Sequence, residues 1–252
     1  MRKLFLYTSL LTLVFGPWAL PAAADTINLF DGTFDNGDWT TGKIYDNTYK
    51  GDATSSNYQV TSGGNPGAYR HTSQTWQIRR YQDPHTLVIW SHIFDSFTYN
   101  PAADGELNTI SYSFDIDLFN SPIWQQGAPY GFMIEQDGQY FWSGTTSALS
   151  SDPGWRNVNA QSLTAANFYD PTLWYGQGIV ERPDFSENGG LIHFGYATAQ
   201  SGDNTTAYST TISGIDNWSV DIDHTPIPEP TTMLLLGTGL MVLAGIRRKV
   251  AR

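Results

Sequence analysis

The chain has 252 residues, and it carries 24 acidic side chains against 13 Lys and Arg, with no cysteine. Six of the basic residues lie in the two terminal segments, so residues 25–229 hold 7 basic residues and have a net charge of −17. Such a negative surface excludes nucleic acid and anionic lipid as partners, because both need a basic surface. The lack of cysteine excludes thiol catalysis and Cys-based zinc sites.

The N-terminal segment has the pattern of a cleaved signal peptide. Two basic residues are followed by an apolar run over residues 4–15. This run is shorter than the roughly 20 residues that a membrane-spanning helix needs. The small residues Ala22 and Ala24 then form a typical cleavage site. We therefore expect residues 1–24 to be removed, with Asp25 as the new N-terminus.

Residues 25–223 predict a series of short β-strands separated by turns rich in Gly, Asn and Asp. The clearest strand covers residues 110–118, where apolar and polar side chains alternate. Two runs, 130–136 and 139–142, flank an Asp-Gly turn and predict a β-hairpin. Further strands are predicted at residues 87–93, 191–198 and 218–222, with weaker candidates at 57–61, 68–73, 77–81 and 179–181.

Helical patterns are nearly absent from this region. A single helical turn is predicted at residues 163–168, where Thr164 suits the capping position. Many short strands without alternating helices indicate an all-β fold, and we predict a β-sandwich of the jelly-roll type over residues 25–223. A signal helix precedes this domain and a hydrophobic helix follows it in the predicted organisation.

The C-terminal segment predicts a linker and a membrane anchor. Residues 224–230 contain three prolines, which favour an extended linker. Residues 231–252 begin with an apolar stretch and end in a basic cluster that includes Arg247, Arg248 and Lys249. Because such clusters tend to remain in the cytoplasm, the domain is expected outside the inner membrane.

This tail resembles the PEP-CTERM sorting signal, on the strength of Pro228-Glu229-Pro230, the apolar segment and the basic end. The resemblance implies processing by an exosortase, a transpeptidase-like membrane enzyme of Gram-negative bacteria that make exopolysaccharide. Pro228, Glu229 and Pro230 would be the recognition residues. Proline on both sides holds Glu229 extended, which suits a protease-like active site. The implied protein is anchored transiently in the inner membrane and then reaches the cell surface or the medium. The alternative is a plain proline-rich linker before an ordinary anchor.

Two segments of the exported region are similar to jelly-roll carbohydrate-binding modules. Residues 31–35, followed by Trp39, look like their first strand, and residues 214–220 look like their closing strand. In such modules these two strands lie side by side, and acidic residues there often hold a structural calcium ion. The resemblance therefore implies calcium ligands at Asp35 and Asp216, and carboxylate oxygens are the ligands that calcium prefers.

The chain has nine tryptophans, of which the first lies in the signal peptide. Sugar rings pack their C–H surfaces on aromatic faces, although large aromatic residues also fill sandwich cores. Trp90 and Trp218 lie in apolar strand runs, which predicts that they belong to the core. Four aromatic residues in turn-rich stretches are the candidate glycan ligands, with core packing as the alternative for each: Trp124, Trp155, Trp174 and Tyr175.

An acidic pair is the one catalytic possibility that the sequence offers. Asp115 and Asp117 lie on one face of a predicted strand, and Glu135 lies on another strand. A glycosidase needs two carboxyl groups about 5–10 Å apart, but no flanking motif distinguishes these residues. We therefore predict a non-catalytic matrix or adhesion protein that binds exopolysaccharide. A glycan-active hydrolase or lyase and a purely structural domain are the alternatives.

Overall fold

The computed structural model describes residues 24–48, 51–77, 86–120, 127–149, 154–173, 181–202, 208–227 and 237–239. Residues 24–227 form one compact unit. The predicted signal peptide and sorting tail fall almost entirely outside the described residues. Within the described ranges, no helix is both long enough and apolar enough to cross a membrane.

The described part of the chain contains eleven strands and very little helix. The strands are β1 (Asp25–Asp31), β2 (Trp39–Asp46), β3 (Thr54–Gly64), β4 (Gly67–Gln77), β5 (Thr86–Phe94), β6 (Glu106–Asn120), β7 (Gly127–Gln136), β8 (Gln139–Leu149), β9 (Arg156–Leu163), β10 (Ile192–Gly202) and β11 (Tyr208–Thr225). One α-helical turn, α1, covers Pro101–Asp104, and 3-10 turns cover Asn36–Asp38, Ala165–Asn167 and Pro171–Leu173.

The strands form two antiparallel sheets that pack face to face. Sheet A has the order β3-β4-β11-β6-β9, and β1 pairs with β11 beside this path. Sheet B has the order β2-β5-β10-β7-β8. The chain is therefore an all-β sandwich of the jelly-roll type, as its sequence predicts.

Alternating side chains on β6 fill the space between the sheets. The apolar residues predicted to share one face of this strand, from Ile110 to Leu118, are all buried. Trp39 and Trp218 meet edge to face at the centre of this core, with ring centroids 5.1 Å apart. Burial of each such side chain stabilises the fold by about 1.5–3 kcal/mol. Trp90 and Trp218 are both buried, which confirms their predicted place in the interior.

The outer face of sheet B is closed by a second apolar layer. Ile89, Met133 and Trp142 are buried there, and Tyr140 and Tyr169 pack against them. The backbone of Tyr169 pairs with that of Trp142 through two hydrogen bonds of 2.9 and 3.0 Å. The 3-10 turn before Tyr169 begins after the predicted cap Thr164, whose backbone N–H donates to Oδ1 of Asn167 at 2.8 Å. This face is therefore part of the hydrophobic interior.

The first strand lies earlier in the chain than the resemblance to carbohydrate-binding modules implies, which placed it at residues 31–35. β1 ends at Asp31, and the following loop contains a 3-10 turn that Asp35 caps. Asp35 consequently lies in a loop and not in the first strand. Its side chain accepts a hydrogen bond from the backbone N–H of Gly37 at 3.1 Å. The side-by-side placement of first and last strands is observed, with Asp25 opposite His224.

The last strand extends two residues beyond Asp223, the predicted end of the domain. β11 continues through Thr225, whose hydroxyl group is hydrogen-bonded to the amide side chain of Asn108. The strand passes so close to Gly105 that a Cβ atom there would overlap the carbonyl oxygen of Thr225. Glycine at this position therefore permits the close approach.

The weaker strand predictions have mixed outcomes. Residues 57–61 and 68–73 lie within β3 and β4, whereas candidates 77–81 and 179–181 lie largely outside the described residues. β9 was not predicted, because its sequence is mostly polar on both faces. It is an edge strand with half-exposed side chains, so it lacks the apolar alternation that identifies β6.

Candidate functional site

Most residues singled out for processing or glycan binding fall outside the described part of the chain. These are Ala22, Pro228, Glu229, Pro230, Arg247, Arg248, Lys249, Trp124, Trp174 and Tyr175. Ala24 is exposed and directly precedes Asp25, the first residue of β1. Trp155 is the described member of the four aromatic candidates, and it directly precedes β9.

The strand register places a row of residues across the outer face of sheet A. Tyr58 of β3 lies opposite His71 of β4, which lies opposite Gly214 of β11. Gly214 in turn lies opposite Asp117 of β6. Directly opposed residues share one face of a sheet, so these four positions project to the same side. The neighbouring residue Ile116 is buried in the core, which identifies this side as the outer one.

Five aromatic side chains lie along this row, and we call them the aromatic surface: Tyr58, Tyr69, His71, Phe119 and Trp155. The ring centroids of Tyr69 and Phe119 are 5.3 Å apart, and those of Tyr69 and Trp155 are 5.4 Å apart. Tyr58 stacks on His71 at 4.6 Å. Tyr58 and Phe119 are each 42% exposed, so the rings contact each other and remain accessible to a ligand.

Gly214 makes room for two of these rings. A Cβ atom at this position would lie 2.8 Å from Cη2 of Trp155 and 2.9 Å from the ring of Phe119. Both rings therefore rest on the bare backbone of β11. A glycine inside a strand often marks such a close approach, and this is the signal in the sequence that could have located the site.

Two hydrogen bonds hold Trp155 on the sheet. Its Nε1–H donates to the carbonyl oxygen of Gly63 at 3.1 Å, across the turn that joins β3 and β4. The backbone N–H of Gly154 donates to Oδ1 of Asp117 at 3.0 Å. The position of the indole thus depends on the β3–β4 turn and on β6.

Two buried carboxylates and three amide side chains fix that turn, and we call them the carboxylate–amide cluster: Asn65, Asp115, Asn157, Asp216 and Asn217. Asp115 lies opposite Asp216 in the sheet register. Oδ2 of Asp115 accepts hydrogen bonds from the side-chain amides of Asn217 and Asn65 at 2.8 and 3.2 Å, and Oδ1 accepts one from Asn157 at 2.9 Å. Asp216 accepts from the backbone N–H groups of Asn65 and Asn217.

The two carboxylates of the cluster are buried in spite of their charge, whereas the amide side chains around them lie nearer the surface. Asp115 is 6% exposed and Asp216 is fully buried. Burial raises the pKa of Asp216, and the neighbouring carboxylates of Asp115 and Asp31 raise it further. Hydrogen bonds from N–H groups compensate for part of this cost. Because the cluster ties Asn65 to β6 and β11, it also fixes the Gly63 carbonyl that holds Trp155.

The fold separates Glu135 from Asp115 and Asp117, the other two acidic candidates for catalysis. Asp115 and Asp117 lie on the outer face of sheet A, as predicted, and Glu135 lies on β7 of sheet B. The carboxylate of Glu135 accepts the backbone N–H of Gly138 at 2.6 Å and lies 3.7 Å from His193. The acidic pair that the fold brings together is instead Asp115 with Asp216, and N–H donors occupy both carboxylates.

Asp35 and Asp216, the implied calcium ligands, have separate roles in the observed contacts. Asp35 caps a loop turn, and Asp216 belongs to the carboxylate–amide cluster. Among the described residues, no group of three or more His, Asp or Glu side chains could hold a metal ion. Calcium binding stays a prediction, and the effect of EDTA on thermal unfolding would test it.

Comparison with known proteins identifies the tail. A model of the PEP-CTERM protein-sorting motif matches residues 226–249. The chain thus carries this motif, which implies an exosortase-sorted protein that is exported to the surface or the medium. No curated protein matches the chain significantly.

Three solved structures are similar to this chain at low identity and low TM-score. A family 11 carbohydrate-binding module from Clostridium thermocellum, in complex with a β-1,3-1,4-mixed-linked tetrasaccharide, is 14% identical, with a TM-score of 0.38, covering 78% of this chain and 94% of that one. A structure on the promiscuous specificity of carbohydrate-binding modules from the β-sandwich superfamily has 12% identity, a TM-score of 0.36, and coverage of 75% and 58%. An exo-β-agarase has 13% identity, a TM-score of 0.35, and coverage of 79% and 26%.

Proposed function

We propose that the exported domain is a non-catalytic glycan-binding module whose ligand rests on the aromatic surface of sheet A. The observation that carries this proposal is the position of Trp155, held on the outer face against Tyr69 and Phe119. Aromatic rings bury large apolar areas, and the C–H faces of a sugar match them. The sorting motif implies export, so the proposed ligand is the exopolysaccharide outside the producing cell.

The support beneath the rings favours binding. Trp155 is positioned by the Gly63 carbonyl, and the carboxylate–amide cluster fixes the turn beside this carbonyl. A ligand therefore meets rings that are already ordered. Preorganised sites lose less conformational entropy on binding, which increases the affinity for a given contact area.

The same contacts favour binding over catalysis. A glycosidase needs one carboxyl group that donates a proton to the scissile bond. It needs a second carboxylate that attacks the sugar or activates a water molecule. The carboxylates of Asp115 and Asp216 instead accept N–H groups inside the cluster, and both side chains are buried. We propose that they support the site. The alternative, a hydrolase or lyase, requires that the protein shortens the polysaccharide and that Asp115→Asn abolishes this activity.

Affinity electrophoresis tests the proposal with the processed protein from its producer. We expect native gels that contain the producer's exopolysaccharide to retard the protein. Trp155→Ala should weaken binding about 30-fold, as expected for a central tryptophan contact. Phe30→Ala is the matched control, because Phe30 is 66% exposed on β1 of the same sheet but lies outside the aromatic surface. Equal retardation of Trp155→Ala and the wild type would contradict the proposal.

A further inference from the structure

A carboxylate lies among the rings of the aromatic surface. Asp117 is half-buried on β6, directly opposite the glycine on which Trp155 and Phe119 rest. Its negative charge acts on the phenol of Tyr69, whose pKa is raised by burial, then by Tyr58 and then by Asp117. One oxygen of Asp117 holds the backbone of Gly154, and within the described residues no cation pairs with this carboxylate.

The four described Lys and Arg residues all lie elsewhere. Lys43 pairs with Asp46 at 2.6 Å on sheet B. Arg70 is buried between the sheets over Trp39, and Arg156 is opposite the core residue Ile116. Arg182 donates to backbone carbonyl groups near Tyr169. This face therefore presents carboxylates without a compensating cation in the described part of the chain.

Among the described residues, the imidazole of His71 is the basic group on this face, and it is uncharged at neutral pH. Burial lowers the pKa of His71 below its usual 6.5, so the imidazole that stacks on Tyr58 is neutral. The rings add to the same electrostatic preference, because the face of an aromatic ring carries partial negative charge and attracts cations. The three rings of Tyr69, Phe119 and Trp155 are inclined to each other by 60°, 68° and 77°, so they present faces in several directions around the carboxylate.

We propose that the aromatic surface selects glycans that carry positive charge, namely polysaccharides with free amino sugars, whose ammonium group pairs with Asp117 beside Tyr69 and Trp155. This inference rests on the proposed glycan-binding function and names its ligand class. The charge of −17 over residues 25–229 attracts such a polymer and repels one built from uronic acids. Salt screens both effects, so the selectivity is greatest at low ionic strength.

The test compares glucosamine oligomers with their N-acetylated counterparts of equal length, which differ only at the amino group, and with oligogalacturonate as a polyanion. Each is titrated into the processed protein at low salt and at a pH below the pKa of the amino groups, so that the glucosamine oligomers carry positive charge. We expect glucosamine oligomers to bind about tenfold more tightly than the N-acetylated ones, through the ammonium group, and oligogalacturonate not to bind. Raising the salt concentration should reduce this ratio.

Two variants on the outer face of sheet A locate the charge effect. Asp117→Asn keeps an oxygen that can accept the Gly154 N–H, and it should bring the affinities for the glucosamine and N-acetylated oligomers together. Asp221→Asn changes the net charge equally, on an exposed residue of β11 outside the aromatic surface, and should preserve the preference.

The outcomes separate the ligand class from the function. Equal binding of charged and neutral oligomers, or a preference that survives Asp117→Asn, overturns the inference but leaves Trp155-dependent glycan binding intact. Failure of every glycan to bind, including the producer's own exopolysaccharide, contradicts the proposed function as well. Tighter binding of a lysine-rich peptide than of glucosamine oligomers would favour a protein partner and overturn the amino-sugar assignment.

Discussion

The outer faces of the two sheets differ in a way that separates stability from recognition. On sheet B, Trp142 is 1% exposed and lies under Tyr169 in a closed apolar layer. On sheet A, Trp155 lies half-exposed among aromatic and acidic side chains. A sandwich needs only its inner faces for a core, so one outer face can be covered for stability while the other remains available for binding.

The difference comes from what packs on each face. The segment with the 3-10 turns before and after Tyr169 adds a layer over sheet B. On sheet A, the contact with Trp155 comes from the end of β3, where the Gly63 carbonyl accepts the indole N–H. Tryptophan is therefore a core residue or a surface residue according to its tertiary neighbours.

Replacing each of the two tryptophans gives the largest predicted contrast. Trp142→Ala should lower the free energy of unfolding by about 3–5 kcal/mol, because it leaves a cavity in a packed layer. Trp155→Ala should cost about 1 kcal/mol, since it removes one hydrogen bond and half-exposed ring contacts. Urea denaturation measures both values. Equal losses for the two variants would contradict the assigned roles.

Disrupting the carboxylate–amide cluster should affect both stability and binding. Asp115→Ala removes a buried acceptor that three amide side chains share, which should cost about 1–3 kcal/mol in unfolding free energy. It should also weaken glycan binding, because the β3–β4 turn loses its attachment to β6. Asp221→Ala, at an exposed position of the same sheet, should change stability by less than about 0.5 kcal/mol. If Asp115→Ala weakens stability but leaves glycan affinity unchanged, the cluster does not support the site.

A change at Gly214 should separate binding from stability most clearly. Gly214→Ala pushes the rings of Trp155 and Phe119 off the sheet, and exposed rings can move at little cost. We expect about a tenfold loss of glycan affinity with a small change in melting temperature. Gly37→Ala is the control, because a Cβ atom there has only a contact of 3.8 Å with Asp35. Unchanged affinity in Gly214→Ala would place the ligand elsewhere.

The smallest expected effect is the contribution of His71 to the pH dependence of stability. Burial lowers the pKa of His71 below 6.5, so the unfolded chain takes up a proton at this residue before the folded chain does. The stability that neutral His71 contributes is therefore present above pH 6.5 and is lost as the pH falls below it. His71→Phe keeps a ring against Tyr58 and should reduce the change in urea midpoint between pH 7.5 and 5.5. An unchanged difference would show that His71 is not the group responsible.

The sequence predicts the fold better than it predicts the site. Alternation in β6 and the Asp-Gly turn after β7 identify strands because they follow from local periodicity and turn chemistry. The context of Trp155, in a turn-rich stretch, was sufficient to make it a candidate ligand. Its neighbours could not be inferred, because Tyr69 and Phe119 meet it only through the register of β4, β11 and β6.

The contacts of the acidic residues could not be predicted from the sequence either. Asp216 was singled out by resemblance, but its contacts with Asn65 depend on a turn 151 residues away in the sequence. Asp115 was considered with Asp117 because both lie on one face of a strand. The fold pairs Asp115 with Asp216 on the neighbouring strand instead. Non-local pairings of this kind are set by tertiary packing, which a single sequence does not reveal.

Calorimetric titration tests the central claim most directly. Oligosaccharides cut from the producer's exopolysaccharide are titrated into the processed wild-type protein and into its Trp155→Phe and Trp155→Ala variants. The glycan-binding account predicts saturable binding by the wild type, weaker binding by Trp155→Phe and a loss of about 30-fold in Trp155→Ala. No heat of binding with the wild type, or the same affinity in all three proteins, would contradict a glycan site on the aromatic surface.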